Sequence, residues 1–245
     1  MAHLEHLFAA GLRFDTEIQY LARHGETLVY ENLPICQFDC ASTCALSSLT
    51  QCIAVLDQLP VKDVKDLSRA AQRLWIQRHQ PSERKEQGEV TPDSLMTIIE
   101  ALCTARAEVH PSGSGDDLGM VAQRALRAGQ VGLLQFESAR SNRWAMVTGV
   151  ELDRKDEASG MKNQSRALLL LDSSASRPWA CAHNVRVELQ AAAGKAVRAS
   201  PGFPINCRHL TGEACAVRLR SLIVMRPANG SGSLQQLSPQ RFLTG

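Results

Sequence analysis

An α+β fold is what this 245-residue sequence predicts, with helices in its first half and antiparallel strands in its second. Three observations predict it. Apolar residues recur at helical spacing before Gly129 and in short alternating or continuous runs after it. The composition, 44% apolar and 21% charged, is that of a globular chain able to bury a core. No apolar run approaches the ~20 residues of a membrane span, and the longest, Ala167 to Leu171, has the length of a strand.

Residues 3–23 predict an amphipathic helix, with Leu4, Leu7, Phe8, Leu12, Ile18 and Leu21 at mixed three and four spacing and Gly25 as its stop. Thr27 to Pro34 reads as an extended stretch, because a proline turns its predecessor away from helix. From Ala41 to Leu59 the residues Ala45, Leu46, Leu49, Cys52, Ile53 and Leu56 form one apolar stripe, ended by Pro60. Residues 64–80 predict a further helix. Thr91-Pro92-Asp93 opens another, with proline in the first turn, and it runs to about Thr104. A Gly-Ser loop over 111–117 precedes a last helix, which stops at Gly129. Residues 131–136, 144–152, 167–171, 185–189 and 217–225 then read as strands, and the polar run 153–165 as an exposed hairpin insertion. The domain reading is a helical extension over 1–29, one domain over 30–226 and a loose tail over 227–245.

Net charge is +2, which favours no class of partner. Residues 177–227 hold eight Arg and Lys against Glu188 and Glu213. Aromatics are only 4% of the chain and form no run on which bases could stack, so a solvated basic face is the reading and nucleic acid is not an expected partner. The N-terminus lacks a basic region followed by a long apolar one, so no signal peptide is expected and the cytoplasm is the expected location. Eight cysteines are too sparse for a disulfide scaffold.

The candidate chemistry lies in Pro34-Ile-Cys36-Gln37-Phe-Asp39-Cys40-Ala-Ser-Thr-Cys44-Ala-Leu. It places Cys40 where a loop becomes an apolar helix. First-turn N–H groups and the positive end of the helix dipole stabilise a thiolate there. A nucleophilic cysteine also needs a base within reach and a group to orient that base.

Asp39-Cys40-Ala-Ser-Thr-Cys44-Ala-Leu46 resembles the nucleophile motif of papain-like, bacteriocin-processing (double-glycine leader) peptidases and their wider relatives. The order of later segments is similar too: Thr91-Pro-Asp-Ser-Leu95, then Ala128-Gly129 before a strand, then Arg143-Trp-Ala-Met-Val-Thr-Gly-Val150, then Leu170-Leu171-Asp172. The likeness covers roughly 30–190. It implies a papain-like α+β fold, with Cys40 at the start of a central helix packed on an antiparallel sheet. Cys40 would be the nucleophile and Asp172 the orienting acid.

Two departures bear on function. The family's general-base histidine falls on Arg143, and arginine does not give up its proton at any working pH. The family's oxyanion glutamine precedes its cysteine by about six residues, whereas Gln37 stands three ahead of Cys40. Asp172, with no imidazole to orient, is expected to pair with Arg143 as a structural salt bridge. The expected function is therefore a peptidase-like domain that has lost proteolysis and binds a peptide or protein partner. The alternative is an active cysteine peptidase or acyltransferase whose base is another histidine, with His183 and His110 the first candidates. His3 and His6 stand three apart but without further ligands. Cys36, Cys40, Cys44 and Cys52 match no metal signature and read as small buried hydrophobes. Cys207 and Cys215 flank seven residues and could close a loop by a disulfide, which a cytosolic chain would keep reduced. No metal and no cofactor are expected, and the oligomeric state is left open.

Overall fold

A computed structural model describes residues 3–9, 40–56, 61–78, 90–103, 105–113, 117–154, 164–173, 175, 183–189 and 205–227. In chain order the elements are β1 (His3–Phe8), α1 (Cys40–Leu56), α2 (Val61–Arg78), α3 (Pro92–Leu102), β2 (Arg106–Pro111), α4 (Leu118–Arg127), β3 (Val131–Ser138), β4 (Asn142–Arg154), β5 (Gln164–Leu171), β6 (Val185–Glu188), β7 (Ile205–His209) and β8 (Ala214–Arg226).

All eight described strands belong to one antiparallel sheet, and six of them form a closed barrel in the order β4-β3-β8-β7-β6-β5, with β5 pairing back onto β4. Closure leaves the barrel wall without an open edge. The two long strands outrun their barrel partners. β4 pairs with β3 up to Val147, and β1 takes over the same edge from Gly149 to Arg154. β8 pairs with β7 up to Val217, and β2 takes over from Ser221 to Arg226.

Cross-strand partners share a face, and successive residues alternate. One face of the wall carries Leu134, Ala145, Val147, Leu168, Leu170, Val185, Val187, Cys207, Val217 and Leu222, all buried, and they fill the barrel. The opposite face of β3 and β4 carries Leu133, Trp144 and Met146, which lie under α1. The Ser48 hydroxyl donates to the Trp144 carbonyl at 2.9 Å, and the Cys52 thiol lies 3.7 Å from the Gly132 carbonyl. The Trp144 indole N–H reaches the Val90 carbonyl at 3.2 Å, just ahead of α3. α3 itself starts with a capping box: Thr91 Oγ1 accepts from the Ser94 amide at 3.3 Å, and Ser94 Oγ accepts from the Thr91 amide at 3.1 Å.

This architecture corrects the expected fold. The described residues are mostly antiparallel β, with a closed six-stranded barrel and four helices, and not an α+β papain-like fold with a helical half packed on an antiparallel sheet. The sequence pattern registered β3, β4, β5, β6 and β8 but not the closure, which depends on β8 pairing with β3 across a long stretch of chain. The helix expected over residues 3–23 is also corrected: His3–Phe8 is strand β1, and most of the rest lies outside the described residues. Three hydrophobic positions in six residues fit either period, and pairing with β4 decided it. Strands β2 and β7 went unpredicted, being five or six residues long with polar alternate positions. The four helices fall within a few residues of their predicted bounds.

Candidate functional site

One end of the barrel gathers the polar chemistry. Arg143 is the second residue of β4, Asp172 directly follows β5, Val185 opens β6, His209 ends β7, and Cys215 is the second residue of β8. The register connects them around the inner face. Arg143 pairs with Phe136 and Phe136 with Leu219; Cys215 lies four residues before Leu219 and opposite Cys207; His209 is opposite Val185, and Val185 opposite Leu170. Asp172 stands two residues past Leu170 on that face.

Asp172 is fully buried. Arg143 Nη1 donates to its Oδ2 at 3.4 Å, and Arg143 Nε donates to Ser141 Oγ at 3.0 Å. The expected pairing of Arg143 with Asp172 is thus present. Asn184 holds the acid's backbone: its Oδ1 accepts from the Asp172 amide at 2.8 Å, and its Nδ2 donates to the Asp172 carbonyl at 2.7 Å. The Asn184 carbonyl in turn accepts from the Leu210 amide at 3.0 Å, which ties the β5–β6 connection to the β7–β8 turn.

Cys207, His209 and Cys215 converge at the same end, with their ligating atoms all within 4.8 Å of one another. The hairpin explains this. Cys207 and His209 are two apart on β7 and face the same way, and the antiparallel register sets Cys215 opposite Cys207. The turn is closed by the His209 amide on the Glu213 carbonyl at 2.8 Å and the Gly212 amide on the His209 carbonyl at 3.0 Å. Gly212 has φ +90°, a left-handed conformation that a side chain would strain. Cys207 is buried, while His209 and Cys215 are partly open to solvent.

The three groups bias one another. Hydrogen bonds from Cys207 and His209, aided by the positive charges of His209 and Arg143, bring the Cys215 thiol down to about 5 against the cost of burial. Its hydrogen bond to Cys215, together with burial, holds the Cys207 proton on. His209 is raised above its ordinary value, first by its bond to Cys215 and then by the charges of Cys215 and Asp172, against burial and Arg143. The deprotonated form of Cys215 is thus favoured, and His209 holds its proton more tightly than a free imidazole does.

The other predicted residues fall elsewhere. Cys40 is the first residue of α1, and its side chain, like the whole of Cys36 and Gln37, lies outside the described residues. Ser48 meets Trp144 near the start of β4, and Cys52 meets Gly132, whose partner on β4 is Val147. α1 therefore runs along β4 with its N-terminus toward the Arg143 end. His183 responds to burial, which lowers it, and to Glu151, His6 and Arg186. His110 lies on β2 opposite Leu222, with Nε2 3.8 Å from Glu108. His209, which the sequence does not single out as a candidate, lies in the field of Asp172. The signal that could have found it is the pattern Cys-x-His followed, across a glycine-containing turn, by Cys. No protein-family model matches the chain, and no curated protein matches it in sequence.

Proposed function

We propose that the chain is a binding domain for a peptide or protein partner and does not carry out cysteine-peptidase chemistry. The Arg143–Asp172 pair carries this reading. The carboxylate that would orient a catalytic imidazole is fully buried and engaged by a guanidinium, and Asn184 fixes its backbone. Arginine cannot serve as the base. Of the proposed substitutes, His110 stands beside Glu108 on β2, and Glu151, His6 and Arg186 act on His183 by their charges. β1 and β2 extend the barrel wall by pairing with β4 and β8, and a strand at the margin of a sheet is a place where an extended peptide can add. None of the described helices is long and apolar enough to cross a membrane.

The test is a peptide-library hydrolysis assay on the wild type, Cys40→Ala and Arg143→His, with peptide binding measured in parallel by calorimetry. Saturable peptide binding and no turnover by any of the three are expected. Turnover by the wild type that Cys40→Ala abolishes would overturn the reading.

A further inference from the structure

We propose that Cys207, His209 and Cys215 form a binding site for a divalent transition metal of the zinc type, with three protein ligands and a fourth position open at the barrel end. Two sulfurs and one imidazole nitrogen are the donor set such an ion selects, and hard ions such as magnesium and calcium avoid it. The three atoms come from one hairpin whose register and glycine turn fix their approach, so the site is built by the fold and not by loop adjustment. At metal–sulfur distances of about 2.3 Å and metal–nitrogen distances of about 2.0 Å, tetrahedral ligands stand roughly 3.5–3.8 Å apart. Atoms already within 4.8 Å need close by only about 1 Å. Cys207 anchors the site from the buried side, and the partial exposure of His209 and Cys215 supplies an entry path. Arg143 acts on all three groups by its charge, and its pairing with Asp172 offsets its repulsion of an incoming ion. This site stands apart from the proposed peptide binding, and neither requires the other.

Cobalt(II) titration of the reduced, full-length chain tests it. One cobalt per chain is expected, with thiolate-to-cobalt charge-transfer absorption in the near ultraviolet and tetrahedral bands in the visible, both abolished by added zinc. Cys207→Ser and Cys215→Ser should lose the charge-transfer band, and His209→Ala should weaken binding. The control Cys103→Ser, just past α3, should bind as the wild type does. Circular dichroism on each variant separates loss of a ligand from loss of fold. The wild-type titration decides even if variants unfold: no charge-transfer absorption from the reduced wild type overturns the proposal. So does a cobalt spectrum that survives in folded Cys207→Ser and Cys215→Ser.

Discussion

Asn184 grips Asp172 by both of its backbone groups, accepting from the amide at 2.8 Å and donating to the carbonyl at 2.7 Å. Both residues are buried. Asn184→Ala leaves an N–H and a C=O in the interior without these partners, at about 1–3 kcal/mol for each group left unsatisfied. Some rescue by entering water is expected, so the total should be roughly 2–4 kcal/mol in urea unfolding. A loss below about 0.5 kcal/mol would mean that water replaces the side chain fully.

Arg143→Met removes the guanidinium from a fully buried carboxylate. Breaking a buried pair costs about 3–5 kcal/mol, but Arg143 is 30% exposed and the contact is 3.4 Å, so roughly 1–3 kcal/mol is expected. Arg143→Met combined with Asp172→Asn should recover part of that loss, because no uncompensated charge remains. A double variant as unstable as the sum of the single ones would show that the two residues act independently.

Acid should weaken the fold in two steps on the far side of the sheet. Burial depresses His183 below its ordinary 6.5, partly opposed by Glu151. Burial also acts to raise Glu151, but the Arg186 hydrogen bonds at 2.9 and 2.6 Å, with the charges of Arg186, His6 and Arg166, leave it below its ordinary 4.5. In both cases the unfolded chain binds the proton more tightly. Stability therefore rises with pH through each window. It should be lost as pH falls from 6.5 through the folded value of His183, and again from 4.5 through that of Glu151. Unfolding measured across this range should lose the upper step in His183→Gln.

Gly149→Ala should loosen β1. A methyl group there would meet the Leu7 carbonyl oxygen at 2.9 Å and the Phe8 ring at 2.8 Å, and the backbone atom cannot swing aside. A cost of about 1–3 kcal/mol is expected. Hydrogen exchange should show residues 3–8 losing protection before the barrel strands do.

Legibility in the sequence followed element length and the range of the contacts. α1 shows its stripe within seventeen residues, and the Thr91-Pro92 start of α3 is a purely local signal. Arg143 and Asp172 could be paired by comparing motifs in order, although the papain-like fold that this comparison implied is not the one formed. Barrel closure was out of reach, because no local pattern states that β8 pairs with β3. The Cys207, His209 and Cys215 cluster depends on a hairpin register, and β7 is too short and polar to announce itself as a strand.

The order of synthesis gives β8 a special place. It is the last described strand, and it pairs with β2, β3 and β7. Until Ala214–Arg226 has left the ribosome, those three strands each wait with a bare row of amides and carbonyls. Until β8 emerges the nascent barrel strands are exposed to wrong pairing, and the barrel closes only once that strand is made. β8 is the latch, and a message truncated before it would release a sticky open sheet in place of a smaller, working domain.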